Sequence, residues 1–202
     1  MSLNSAAPWK IDLATEIRTE RLVIRSHRPG PGFGVNSDTE LTRIIFAAVD
    51  ADRARLRVYL PWVDLTRSEE DQSAYVARCA VARAEEVMFD YGIYSPDGTY
   101  LGNAGVHTVS KSNRRAELGY WILGKYENQG YVTEAIHALG QACFEAGFHR
   151  MEIRCDGSNA KSYGVAERLG YTLEGSLRED CFEDGRWTST RIYGKLATDL
   201  TN

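Results

Sequence analysis

Residues Glu117 to Ile136, reading ELGYWILGKYENQGYVTEAI, constrain the fold of this chain more than any other stretch. An aromatic and aliphatic run gives way to polar residues around Gly130 and then to a helical pattern. The segment therefore predicts a strand, a short loop centred on Gly130, and a helix starting near Thr133. Such a loop turns several backbone N–H groups toward one point at a helix N-terminus, where the dipole also favours negative charge. That is a site for a phosphate or pyrophosphate, although an ordinary strand–loop–helix connection capped by Thr133 would read the same way. Neither G-x-G-x-x-G nor G-x-x-x-x-G-K-S/T is present, so the loop is not a nucleotide fingerprint of those kinds.

The rest of the chain supplies a matching frame. Leu22 to Ile24 reads as a first strand, stopped by a loop of Pro29, Gly30, Pro31 and Gly32. A helical region over 37–58 ends at the aromatic turn Tyr59 to Trp62. Ser68 and Asp71 form a capping-box-like pair ahead of a helix that runs to about Glu86. Val87 to Tyr94 and Tyr100 to Val109 are strands joined by a hairpin at Pro96, Asp97 and Gly98, and Ala116 to Leu123 is the next strand. The helix from Thr133 to Ala146 carries Ile136, Leu139 and Cys143 on one face, with Gly147 ending it. Met151 to Cys155 is a strand, and Asn159 to Leu169 a short helix stopped by Gly170. Tyr171 to Cys181 and Trp187 to Leu196 are closing strands that turn at Asp184 and Gly185. This order predicts one α/β domain over 1–202, a mixed sheet with helices on both faces, with residues 1–10 flexible.

Composition excludes several classes. A net charge of -4 argues against a dedicated nucleic-acid binder. No apolar run reaches the roughly 18 residues of a membrane span, and no signal-peptide core is present. Cys79, Cys143, Cys155 and Cys181 contain no C-x-x-C pair, which reads as reduced thiols and a cytoplasmic protein. His27, His107, His137 and His149 show no zinc spacing, so no metal is expected.

Several segments in this order resemble the GNAT superfamily of acyl-coenzyme A-dependent N-acyltransferases, and within it the RimJ/RimL-type protein N-terminal acetyltransferases. They are TERL from Thr19, ELGYW (Glu117 to Trp121), GYVTEA (Gly130 to Ala135), NAKS (Asn159 to Ser162), RLGY (Arg168 to Tyr171) and LEG (Leu173 to Gly175). The resemblance implies a mixed, mostly antiparallel sheet of about seven strands, with a bulge in the fourth main strand and a splay between the fourth and fifth. Acetyl-coenzyme A would lie in that gap, its pantetheine pairing with the backbone of Trp121, Ile122 and Leu123. The amides of Gln129, Gly130, Tyr131, Val132 and Thr133 would meet the pyrophosphate. The family's loop carries Gln or Arg where this chain has Glu127, and a small residue where it has Val132; Glu127 is therefore expected to point away. Asn159, which would also serve as a helix N-cap, would bond the pantetheine arm, and Ser162 would face the sulfur. Homodimerisation follows from the same likeness.

Acetyl transfer to an amine needs a neutral nucleophile, donors for the oxyanion and a proton for the departing thiolate. In RimL-like enzymes a carboxylate is expected on the penultimate strand, and an ungapped count from N-x-x-S lands on Cys181. Strand alternation places Glu179 on the Cys181 face. Glu117 and Glu179 are the candidates for base, each against the plainer reading of a surface or ion-paired carboxylate. Cys181 itself reads as a buried small residue. Trp62, Asp64 and Trp187 are candidates for the acceptor side. An α-amine of pKa about 8 is roughly one-fifth neutral at about pH 7.4, a lysine of pKa about 10.4 about one-thousandth, so a chain terminus needs less help from a base. The first reading is an acetyl-coenzyme A-dependent N-acetyltransferase acting directly on a primary amine, foremost a protein N-terminal α-amine. A small-molecule amine acetyltransferase (polyamine, aminoglycoside or amino acid) and a non-catalytic acyl-coenzyme A module are the alternatives.

Overall fold

The computed structural model describes residues 9–27 and 38–200. The expected loop at 29–32 and the start of the chain through residue 8 lie outside them. One eight-stranded sheet runs through the protein: β1 (Glu16–Arg18), β2 (Val23–Ser26), β3 (Phe89–Tyr94), β4 (Tyr100–Ser110), β5 (Arg115–Ile122), β6 (Arg150–Asp156), β7 (Thr172–Glu183) and β8 (Arg186–Leu196). Its spatial order is β1-β2-β3-β4-β5-β6-β8-β7, and every neighbouring pair is antiparallel except β5–β6. The strand beyond the expected seven is β1, three residues long.

Five α-helices accompany the sheet: α1 (Asp38–Ala51), α2 (Arg53–Leu56), α3 (Glu69–Ala84), α4 (Tyr131–Glu145) and α5 (Ala160–Arg168). The helical region expected over 37–58 is two helices, with the chain re-bonding at Asp52. Local chemistry explains most boundaries. Ser68 and Asp71 form the reciprocal capping box at the start of α3. Gly147 and Gly170 sit at positive φ after α4 and α5. In each case the glycine N–H and the one after it bond back in the Schellman pattern, as in Phe148 N–H to the Cys143 carbonyl at 3.1 Å. Asp184 and Gly185 both have positive φ, the two-residue turn that suits the twist of the β7–β8 hairpin.

The two faces differ. Phe89, Tyr91, Val106, Leu118, Met151 and Ile153 point toward α4, where Ile136, Leu139 and Cys143 complete a dry core. Opposite them, α1 and α3 cover residues that are polar or small: Asp90, Asn103, Gly105, His107, Glu117 and Gly119, placed together by the period-two alternation of β3, β4 and β5. Such a face cannot pack shut against a helix as the other does. Gly102 lets β4 and β5 approach closely, since a Cβ there would fall 2.3 Å from the Trp121 carbonyl oxygen.

The splay is where the resemblance puts it. β5 pairs with β6 only from Arg115 to Glu117, after which β6 follows β8 and β5 is left with one partner. The register shift, however, lies in the β4–β5 pairing between His107 and Ser110, with Thr108 at φ 51°, while β5 keeps unbroken register from Glu117 to Ile122. The bulge therefore precedes the splay on the neighbouring strand.

Candidate active site

Two cavities meet at the free end of β5. One, of about 640 Å³, lies between the polar sheet face and α1 and α3, with Trp62, Tyr75, Asp90, Asn103 and His107 among its walls. A second, of about 410 Å³, opens in the splay between β5, the loop after it and α5. Leu60, Tyr120 and Trp121 line both.

The splay groove carries half of the residues expected to hold a cofactor. Trp121, Ile122, Val132, Asn159 and Ser162 all line it. Backbone directions sort them further. The Leu123 N–H bonds the Leu101 carbonyl at 2.9 Å, so in the alternating antiparallel ladder Trp121 and Leu123 address β4, and Tyr120 and Ile122 address the splay. Of the three residues expected to pair with a pantetheine arm, only Ile122 has its polar groups on that edge, joined by Tyr120. The Ile122 carbonyl already accepts from Arg55 Nη2 at 2.5 Å. Asn159 caps α5, its Oδ1 accepting the Ser162 N–H at 3.1 Å. Ser162 Oγ donates to Tyr120 Oη at 3.2 Å, and the tyrosine hydroxyl donates to the Ser162 carbonyl at 3.0 Å. Burial pushes the Tyr120 phenol above its ordinary pKa, so it stays a proton donor.

Glu127 does not point away. It lines the groove, held by Arg55 at 2.6 Å and Lys161 at 2.5 Å, so the carboxylate that departs from the family pattern is neutralised by ion pairs. Arg55 is fixed in turn by Asp52, which also accepts the Gly124 N–H at 2.8 Å. Burial opposes ionisation of Asp52, yet these hydrogen bonds hold its carboxyl below its usual pKa.

The loop at Gly130 is tighter than expected, because the helix begins at Tyr131 with Gly130 as a left-handed N-cap at φ 79°. Glu134 N–H makes the first helical bond to the Gly130 carbonyl at 3.0 Å, leaving the amides of Tyr131, Val132 and Thr133 as the orphan donors of the first turn. Gln129 contributes no free carbonyl: Arg21 Nη1 donates to it at 2.9 Å. Arg21 also pairs with Glu134 at 2.6 Å, and Thr19 Oγ1 donates to the same carboxylate at 2.5 Å. The TERL and GYVTEA segments are thus two halves of one contact, which places a guanidinium beside the loop.

The other expected residues scatter. Trp62 lines the larger cavity, its ring 6.0 Å from that of Trp121. Asp64 and Asp184 both pair with Arg57, which ties the β7–β8 hairpin to the turn after α2 and leaves Asp64 off the cavity wall. Trp187 is exposed and stacks on Phe182 at 4.9 Å. Glu117 shares the polar face and is pushed above the usual carboxylate range by burial, but lines neither cavity. Glu179 lies in an irregularity of β7 at φ 52°, where simple alternation fails; it is exposed and lines neither. Cys181 is half-buried in a separate cleft of about 320 Å³.

The architecture is matched among known proteins. The model of the acetyltransferase (GNAT) domain matches residues 35–172. The chain belongs to the GNAT acetyltransferase family. It is 36% identical over 101 residues to YdaF of Bacillus subtilis (strain 168), half of this chain and 55% of that protein. It is 25% identical over 153 residues to the ribosomal-protein-serine acetyltransferase of Escherichia coli (strain K12), covering 75% of this chain and 85% of the relative. Among solved structures, the RimL ribosomal α-N-protein acetyltransferase in complex with coenzyme A superposes with a TM-score of 0.79 at 21% identity, over 88% of this chain and 95% of that one.

Among the described residues, no helix is long and apolar enough to cross a membrane.

Proposed function

We propose that this GNAT protein transfers an acetyl group from acetyl-coenzyme A to a primary amine, foremost the α-amine of a polypeptide chain. The observation that carries the reading is the junction of the two cavities at Tyr120 and Trp121. A thioester laid along the splay reaches this junction from one side, and an amine entering the larger cavity reaches it from the other. Direct transfer then needs no covalent enzyme intermediate and no metal.

Each end of the cofactor has a partner of suitable chemistry. The orphan amides of Tyr131, Val132 and Thr133 face an anion, with Arg21 beside them. Tyr120 and the Ile122 N–H offer the strand edge to the amide groups of the pantetheine arm, the Ile122 carbonyl being held by Arg55. The Tyr120–Ser162 hydroxyl pair supplies the proton that the departing thiolate takes up. On the acceptor side, Trp62 and Trp121 give aromatic faces for an ammonium group, and Asp71 and Asp90 give negative charge.

The test is calorimetric titration with acetyl-coenzyme A, coenzyme A and ATP, followed by acceptor peptides of increasing length. Micromolar binding of the first two without ATP, and a rate that grows with peptide length, are the expected outcome. Transfer to polyamines or free amino acids with no gain from longer peptides would assign the acceptor to the small-molecule class. Absence of binding in folded protein would end the enzyme reading.

A further inference from the structure

The walls of the larger cavity divide by chemistry. Leu60, Trp62 and Leu65 of the turn after α2, with Trp121 of β5, form one end of it. Leu60, Trp62 and Trp121 pack against the apolar cluster built on Leu41, Ile45 and Val49 of α1, yet all three stay only half-buried. Leu65 is 75% exposed. Apolar surface left in contact with water in this way gains from any apolar group that covers it.

The charged groups leave little for a second cation. Among the described residues, the carboxylates on the cavity wall are Asp71 and Asp90. Asp71 already accepts the Arg67 and Ser68 N–H groups at the start of α3. Asp90 is buried, accepting from Asn103 at 2.9 Å and from Tyr75, with His27 Nε2 at 3.1 Å. The cation Arg78 lines the same cavity. Such a wall suits one ammonium group. A polyamine would bring a second one to a surface with no carboxylate left to pair it, at a desolvation cost.

Position decides which part of the acceptor meets the apolar end. Leu60 and Trp121 line the splay groove as well as the larger cavity, so they stand where thioester and amine meet. In a polypeptide the first side chain branches from the same carbon that bears the α-amine. A nitrogen at the junction therefore lays that side chain against Leu60, Trp62 and Trp121. The rest of the acceptor leaves past Leu65, Asp71 and Ala74, which line the cavity and are exposed. A volume of about 640 Å³ is far more than a hydroxymethyl group fills, and lies among pockets that take whole small ligands of roughly 300–1,000 Å³.

Resting on the acetyl-transfer reading above, we infer that the larger cavity selects amines that carry a bulky apolar side chain on the carbon bearing the nitrogen. The acceptor class is then polypeptides that begin with a large aliphatic or aromatic residue, in preference to serine, alanine or a polyamine.

The experiment measures kcat/KM for peptides that differ only in a first residue of serine, alanine, leucine or phenylalanine. Phenylalanine amide and spermidine serve as small acceptors, and the wild type is compared with Trp62→Ala. The leucine and phenylalanine peptides are expected to exceed the serine peptide by about 10- to 100-fold, the factor that burying such a side chain yields. In Trp62→Ala the phenylalanine-to-serine ratio should fall to about threefold or less of preference, whereas a merely structural loss lowers both rates alike and keeps the ratio. Equal rates along the series, a preference for serine, a ratio unmoved by Trp62→Ala, or spermidine ahead of phenylalanine amide would each overturn the inference and leave acetyl transfer standing. Transfer to none of these amines, in protein that binds acetyl-coenzyme A, would remove the reading beneath it as well. Should the alanine variant not fold, Trp62→Gln is read by the same ratio.

Discussion

Replacing Gly130 by valine tests the loop at its most demanding residue. Gly130 caps α4 at φ 79°, a conformation that costs an L-residue roughly 1–2 kcal/mol, and more when it is β-branched. Space is a smaller obstacle, because a Cβ there would meet Arg21 Nη2 at 3.4 Å, the end of a flexible side chain. Backbone strain therefore decides the outcome. Either the loop keeps its shape and the protein loses about that much stability, or the loop relaxes and the Tyr131 and Val132 amides turn away from the anion. A charge-assisted hydrogen bond contributes about 1.5–3 kcal/mol, so losing one weakens coenzyme A binding about ten- to a hundredfold. Calorimetry with coenzyme A, beside thermal melting, separates the two. Gly130→Asn, which tolerates the left-handed region, should retain most of the affinity. Unchanged affinity and unchanged melting in the valine variant would refute the loop assignment.

Three further outcomes follow from the same geometry. Ser162→Ala removes the hydroxyl that bonds Tyr120 and should lower turnover about tenfold or more while cofactor affinity stays within about threefold; equal losses in both would give Ser162 a binding role instead. Glu127→Gln leaves Lys161 without its carboxylate and Arg55 with Asp52 alone, so coenzyme A should bind more tightly and with a steeper salt dependence, and titrations at two ionic strengths would expose the opposite sign. Glu117→Gln should raise the melting temperature at pH 7. Burial raises the carboxyl's folded-state pKa, so its charge lowers stability progressively as pH climbs above the unfolded value near about 4.3, and the gain should vanish below that pH.

What could be read from the sequence was what short-range chemistry dictates. Ser68 with Asp71, Asp184 with Gly185, and Gly147 each set a boundary through atoms a few residues apart, and all three stand where the pattern put them. Asn159 is similar, since its capping bond to Ser162 spans three residues. The electrostatics of the groove are different in kind. Glu127 looked unfit for an anion site because its neutralising partners, Arg55 and Lys161, lie 72 and 34 residues away. Arg21 reaches Glu134 across 113 residues, and His27 meets Asn103 across 76. No periodicity carries such pairings; only the sheet order creates them. Glu179 failed for a local reason, because an irregular strand at positive φ breaks the alternation on which its facing was argued. Tyr120 was in plain view within ELGYW, and the hydrogen-bonding parity of β5 would have selected it over Trp121 had the strand's partner been known.

The central claim is that an amine in the larger cavity receives an acetyl group from a thioester in the splay. Its most direct test is mass spectrometry of a peptide with a free α-amine and a lysine, incubated with acetyl-coenzyme A and the wild-type protein, beside the same peptide blocked at its N-terminus. Stoichiometric gain of one acetyl group at the α-amine, with release of free coenzyme A and no reaction of the blocked peptide, is the predicted result. Binding of acetyl-coenzyme A without transfer to this peptide or to any member of a small-amine panel would contradict it.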